Sequence, residues 1–193
     1  LTGGVRTALP RQQTLRALID WSYQLLNATE QRALRGLSVF SGGWTLEAAE
    51  SVVGADEALD GLSGLVNKSL VIVEEQEGKS RYRFLETIRQ YAMEKLVEAG
   101  EAIATRDRHL DFMLGVMEYS PTRMFGMEDL ELLDRIESEH DNLRAALEWA
   151  TENHPATALK LAYSAGGFWT IRDYNAEAQF WCSTILGKTE AMS

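Results

Sequence analysis

The chain has 193 residues, 45% of them hydrophobic and 25% charged, the composition of a folded globular protein and not of a disordered tail. Its formal net charge of −10 argues against a duplex-binding surface, because Lys and Arg neutralising phosphates supply much of that affinity, and it disfavours an anionic membrane surface for the same reason. A single cysteine, Cys182, excludes an internal disulfide framework and a cysteine-based zinc site.

Residues 1–10, with Gly3, Gly4 and Pro10, read as an extended lead-in. Over 13–26 the apolar residues Leu15, Leu18, Ile19, Leu25 and Leu26 keep helical spacing. Asn27 and Glu30 then form a capping-box signature, in which each side chain satisfies an orphan N–H at the start of the next helix. That helix is expected to run through Leu34, Leu37 and Phe40 until Gly42-Gly43 stops it. Thr45 caps a short helix over 46–53, ended by Gly54, and 57–67 follows with Leu59, Leu62, Leu65 and Val66 on one face. The period then changes. A β-branched run at 70–73, a polar stretch at 74–80 containing Gly78, and the alternation Arg81-Tyr82-Arg83-Phe84 read as a β-hairpin.

Beyond the hairpin the pattern is helical throughout. Leu85, Ile88, Ala92 and Leu96 define one helix, ended by Gly100; Ile103, Leu110, Met113, Leu114 and Met117 define the next, closed by Pro121. Leu133, Ile136, His140, Leu143 and Leu147 alternate spacings of three and four, which suits helix packing. Two more helices are expected around 159–169 and 176–186, with Arg172-Asp173 turning between them. The fold class that follows is mainly α: a winged-helix domain over 1–100 with one β-hairpin as its wing, then a helical, tetratricopeptide-like repeat region over 101–193.

No catalytic, metal or cofactor site emerges from the residues. The chain contains no Gly-x-x-x-x-Gly-Lys-Ser/Thr loop to cradle a phosphate. None of His109, His140 and His154 lie four apart, as a helical zinc pair requires. His140, flanked by Glu139 and Asp141, reads as a hydrogen-bonded histidine inside a helix interface. The acidic clusters Glu74-Glu75-Gln76-Glu77 and Glu128-Asp129 lack the alternating oxygen ligands and central Gly of a calcium loop. Phe168, Trp169, Tyr174 and Trp181 admit two readings, a partner groove between repeats or the core between two paired helices. No segment reaches the length of a membrane span and no signal peptide opens the chain. With Leu1 in place of Met, the expectation is a cytoplasmic piece of a longer protein.

Several blocks resemble bacterial STAND-class NTPase regulators. They are Pro10-Arg11-Gln12-Gln13-Thr14-Leu15-Arg16 with Ile19-Asp20-Trp21-Ser22-Tyr23, Leu37-Ser38-Val39-Phe40-Ser41-Gly42-Gly43-Trp44-Thr45-Leu46, and Leu65-Val66-Asn67-Lys68-Ser69-Leu70. Tyr82-Arg83-Phe84-Leu85-Glu86-Thr87-Ile88-Arg89-Gln90-Tyr91-Ala92 is the most specific, and Glu139-His140-Asp141-Asn142-Leu143-Arg144-Ala145-Ala146-Leu147 extends the match into the helical part. The resemblance implies a parent in which an ATP-binding core precedes the winged helix and sensor repeats follow it, often with a DNA-binding output domain. ATP or ADP would belong to that core, and no cofactor is expected within these residues. In related switches a Met-His-Asp triplet of the winged helix reaches the β-phosphate of ADP. Phe84, Leu85 and Glu86 are the equivalent positions, and Leu85 stands where the His would be and cannot donate that hydrogen bond.

The function this predicts is a non-catalytic regulatory module of a signal-transducing ATPase that regulates transcription. Its winged helix would dock on the nucleotide-binding core, and its repeats would sense an effector or protein partner. Two alternatives stand beside it, a DNA-binding winged helix and a free-standing protein-binding adaptor. In DNA-binding relatives the helix before the hairpin enters the major groove. Here that helix carries Asp56, Glu57 and Asp60 with no Arg or Lys before Lys68, so direct contact with nucleic acid is not expected.

Overall fold

The computed structural model describes residues 10–76, 79–118 and 130–191, and within them the chain is mainly helical around one hairpin. Pro10 opens α1 (Pro10–Gln24), a position where its missing N–H leaves no bond unmade; Gly3 and Gly4 lie outside the described residues. The capping box forms as the sequence predicts. Asn27 N–H donates to Glu30 Oε2 at 2.8 Å and Glu30 N–H to Asn27 Oδ1 at 2.9 Å, starting α2 (Ala28–Leu37). The helix stops three residues before Phe40, where Ser38 Oγ donates back to Arg35 O at 2.6 Å. Phe40 is therefore a loop residue, although still only 1% exposed.

Thr45 caps α3 (Leu46–Val53), and Gly54 ends it. The 57–67 helix begins as one π turn, Glu57–Gly61, and continues as α4 (Leu62–Asn67). It crosses α2 at close range through buried Ala58 and Gly61, and a methyl group at Gly61 would collide with the Ala33 side chain. Strands β1 (Ile72–Gln76) and β2 (Lys79–Arg83) pair antiparallel, from Ile72 opposite Arg83 to Gln76 opposite Lys79. The strands run further into 74–80 than the sequence suggested. Glu74 lies opposite Arg81, and Arg83 reaches diagonally to Glu74 at 2.8 Å, so cross-strand charge pairing supports residues of weak strand propensity. Trp44 adds an isolated bridge on the other edge of β2, exchanging both backbone hydrogen bonds with Tyr82 at 2.8 Å.

The remaining helices are α5 (Glu86–Glu98), α6 (Ala102–Glu118), α7 (Leu130–Ser138), α8 (His140–Asn153), α9 (Pro155–Ile171) and α10 (Asn175–Ala191). Gly100 turns the chain between α5 and α6 at φ +72, and Asp173 between α9 and α10 at φ +61. Pro121 and the Glu128-Asp129 pair lie outside the described residues. The periodic run over 133–147 is broken into α7 and α8 at Glu139, whose N–H turns back to Ile136 O at 3.0 Å.

Two apolar cores form. The first gathers Leu37, Phe40, Trp44, Val52, Leu65, Phe84 and Leu96, among others, and the second gathers Met113, Met117, Ile136, Leu143, Leu147, Phe168 and Trp169. Helix α6 joins them, since Phe112 packs against both, and Arg108 Nε donates to Val52 O at the end of α3 at 2.6 Å. Among the described residues, no helix is long and apolar enough to cross a membrane.

His109 sits on α6 where the two cores meet, its ring edge-on to Phe40 with centroids 5.0 Å apart. Burial pushes its imidazole down from 6.5 to about 4, with the hydrogen bond it offers to Asn142 pulling the other way. Between those values the unfolded chain binds a proton that the native state refuses, so the contribution is complete above pH 6.5 and is lost as the pH falls. We expect unfolding stability to drop by about 2 kcal/mol between pH 7 and pH 5 from this group alone. Denaturant melts of the His109→Gln variant at the two pH values should show most of that difference gone; an unchanged difference would place its origin elsewhere.

Candidate functional site

The surface formed by the 57–67 helix and the hairpin carries a groove of about 320 Å³, lined by Leu46, Leu59, Leu62, Ser63, Val66, Asn67, Val73 and Tyr82. Leu62 forms its floor at 3% exposure, whereas Leu59 at 57% and Val73 at 43% stand out at its edge. Helical spacing sets Asp60, Ser63 and Asn67 on one outward stripe. Strand alternation puts Glu75 on the same face of β1 as Val73. Asp60 and Glu75 are exposed and make no ion pair among the described residues.

Four cations around this surface, Arg32, Lys68, Arg81 and Arg83, are engaged. Lys68, directly after α4, binds both carboxylate oxygens of Glu30 at 2.5 Å. Burial alone would raise the Glu30 pKa, yet the Lys68 and Asn27 hydrogen bonds hold it below its ordinary value. Arg32 pairs with Glu57 at 3.2 Å and Arg83 with Glu74 at 2.8 Å. Arg81 is turned away from solvent. Its guanidinium binds Glu139 Oε1 at 2.6 Å, Ser138 O at 2.6 Å and Gly43 O at 3.2 Å.

That arginine belongs to a buried polar clamp between the hairpin and α8. Asn142, fully buried, accepts from Ser41 N–H at 2.7 Å and donates to Gly43 O at 2.9 Å and Glu139 Oε2 at 2.5 Å. The turn it grips needs two glycines, because Gly42 and Gly43 hold φ +80 and +106, and a Cβ at Gly43 would lie 2.6 Å from Tyr82 O. Two blocks about a hundred residues apart, Ser41-Gly42-Gly43 and Glu139-His140-Asp141-Asn142, thus meet face to face. The residue pattern marks Gly42-Gly43 as a helix stop and His140 as an interface histidine, and nothing in it brings the two blocks together.

His140 lies beside the clamp. Its Nε2 is 3.2 Å from Glu177, and its ring packs against Tyr174 and Phe168 at 4.4 and 5.2 Å between centroids. Glu177 also accepts from Arg144 at 2.6 and 2.9 Å, an arrangement that holds its pKa down although burial opposes it. The residue is thus the hydrogen-bonded interface histidine expected from its position. Phe168 and Trp169, each 1% exposed, are closed inside the second core and cannot line an open groove; Tyr174 and Trp181 are half-buried at its margin. Phe84 is buried against Trp44 at 4.8 Å, Leu85 is half-exposed ahead of α5, and Glu86 is exposed with its carboxylate on Arg89 at 2.8 Å. Among the described residues, no group of three or more His, Cys, Asp and Glu is arranged to hold a metal ion.

The first half orders two helices, the 57–67 helix, a hairpin with Trp44 bridged to its edge, and a closing helix, and the sequence of residues 26–97 matches the family model of a winged helix-turn-helix domain. Residues 26–97 form a winged helix-turn-helix domain. Its wing is the β1–β2 hairpin, and its recognition-helix position is 57–67. Over 192 residues, 96% of its length, the chain is 44% identical to proteins named "Putative HTH-type transcriptional regulator" in Mycobacterium tuberculosis and Mycobacterium bovis. An uncharacterized protein of Mycobacterium tuberculosis is 40% identical over 115 residues, 56% of this chain and 29% of its own. The chain spans 22% of the length of the two regulators. No solved structure matches it with significance.

The clamp makes the winged helix and α8 mutually dependent. Replacing Asn142 by Ala leaves a buried N–H and a buried carbonyl short of partners, at a cost on the order of 3 kcal/mol. We expect the thermal midpoint of Asn142→Ala to fall by roughly 10 °C, measured by circular dichroism. A double-mutant cycle of Arg81→Met and Glu139→Gln should give a coupling of about 1–3 kcal/mol. Additive effects would mean that the pair is not made in solution.

Proposed function

We propose that this chain is a non-catalytic regulatory and interaction module of a longer transcriptional regulator, whose winged helix contacts protein and not DNA. The regulator part of the reading rests on the winged helix-turn-helix match and on the names carried by the two 44%-identical relatives. The observation that carries the choice of protein over DNA is the fate of the cations. Lys68, Arg81, Arg83 and Arg32 are each bound to a carboxylate, while Asp60 and Glu75 are exposed beside the groove. A recognition helix that reads a duplex needs Arg, Lys or Asn free at its outer face and cations for the phosphates. Asn67 and the hydroxyl of Ser63 offer hydrogen bonds, but no charge balances the rim.

The finer reading follows from the resemblance to STAND-class NTPase regulators. In it the winged helix docks on an ATP-binding core of the parent, and the helices from α6 onward hold that core or receive an effector. The clamp supports the mechanical side of this reading, since Arg81, Glu139 and Asn142 tie the wing to α8, so that a force or ligand acting on the helices is felt at the groove. The second reading, direct DNA binding, is favoured by the helix-turn-helix match itself.

One titration separates the two. Fluorescence anisotropy of a labelled mixed-sequence duplex at low salt should show no saturable binding by this chain. Saturable binding that weakens steeply with added salt would instead establish the DNA-binding reading, because that dependence is the signature of phosphate contacts.

A further inference from the structure

We propose that the groove between the recognition-helix position and the wing is the binding site of a cationic amphipathic protein segment, one that inserts an apolar side chain between Leu59 and Val73 and lays Lys or Arg side chains against Asp60 and Glu75. The inference rests on the protein-contact reading above and adds the chemistry of the partner.

Three features select this occupant. Five aliphatic side chains, Leu46, Leu59, Leu62, Val66 and Val73, line the groove, and Ser63, Asn67 and Tyr82 add polar groups beside them. Its volume of about 320 Å³ is at the small end for a binding pocket and suits an anchoring side chain more than a separate ligand. Large apolar side chains held at 57% and 43% exposure on its edge are the residues that a partner would remove from water. Unpaired charge beside the groove is acidic, the nearby cations Lys68 and Arg135 each meeting a carboxylate. Asp60 and Glu75 are exposed without an ion-pair partner among the described residues, and Glu47, next to lining residue Leu46, has only a long 3.4 Å contact to Arg135.

Charge also decides against the other candidates for this surface. A second copy of the chain would bring the same carboxylates face to face, and like charges across an interface are repulsive. An anionic lipid surface and a nucleic acid would each set phosphates against Asp60 and Glu75. A basic segment reverses every one of those signs. Ser63 and Asn67, which also line the groove, supply hydroxyl and amide groups to orient its backbone.

The probe is a fluorescein-labelled amphipathic peptide built of Leu and Lys, titrated with the chain and followed by anisotropy, beside a Leu/Glu peptide and a Ser/Lys peptide. The Leu/Lys peptide should bind and the other two should not. Leu59→Ser should weaken binding by about tenfold, the loss of one apolar anchor, and Asp60→Asn with Glu75→Gln should weaken it severalfold. Both variants change exposed side chains, so their melting temperatures should stay within a few degrees of the parent's. The control is Asp111→Asn with Glu148→Gln, which removes two exposed carboxylates from α6 and α8 and should leave binding unchanged. Equal weakening by the control, equal binding of the Ser/Lys or Leu/Glu peptide, or no binding of the Leu/Lys peptide overturns the proposal. In those cases a chain that still ignores the duplex leaves the protein-contact reading in place. Displacement of the peptide by the duplex would overturn both.

Discussion

The turn at Ser41-Gly42-Gly43-Trp44 is the constraint on which the two halves of the molecule depend. Gly43 adopts φ +106 and packs so close to Tyr82 O that a side chain has no room. That conformation delivers Trp44 to the edge of β2, where it exchanges backbone hydrogen bonds with Tyr82 and is buried between Phe40 and Phe84. It also presents Ser41 N–H and Gly43 O to Asn142. A single backbone geometry therefore sets the position of the hairpin, the centre of the first core and the attachment of α8. Because Asn142 and Glu139 are fully enclosed, every bond they make replaces water that is no longer available, and none can be dropped without leaving a polar group stranded.

Carboxylates that hold this fold together also set the character of its surface. Glu30 closes a capping box at the start of α2 and at the same time takes Lys68 at the end of α4. Glu139 breaks the chain between α7 and α8 and takes Arg81 from the wing. Each of these acids is buried and would be costly to leave as a lone charge, so it draws in the nearest cation. Arg81 is withdrawn from solvent in this way at 11% side-chain exposure, whereas Lys68 stays 39% exposed with its ammonium on Glu30. Asp60 and Glu75, exposed beside the groove, are left without an ion pair among the described residues.

Local chemistry made much of this legible in the sequence. The capping box at Asn27 and Glu30, the Thr45 cap and the Gly54 stop are decided within a few residues, and each stands where its side-chain types place it. The hairpin was visible as a change of period, but its strands extend through Glu74 and Glu75, residues of weak strand propensity that are held by partners across the ladder. The break at Glu139 was hidden because Ile136, His140 and Leu143 keep spacings of four and three straight through it. Phe40 looked helical for the same reason: burial repeats even after the helix has ended. The clamp could not be read at all from pattern. Its members are far apart in sequence, and the resemblance marks Ser41-Gly42-Gly43 and Glu139-His140-Asp141-Asn142 within separate blocks without joining them.

The clamp bears on why a helix-turn-helix scaffold would serve a contact other than DNA. A wing that tracks a phosphate backbone needs its basic side chains on the outside and some freedom to follow the duplex. Here Arg81 points inward to Glu139, Ser138 and Gly43, and Arg83 is held by Glu74 on the hairpin itself. These bonds anchor β2 at Arg81 and Arg83, the strand that carries Tyr82 opposite Val73; on the proposed reading, a groove wall held in place lowers the ordering cost of binding a partner. On the protein-contact reading proposed above, the inward bonds of Arg81 leave fewer cations for a phosphate backbone and tie the groove side of the hairpin to α8 through Glu139 and Ser138.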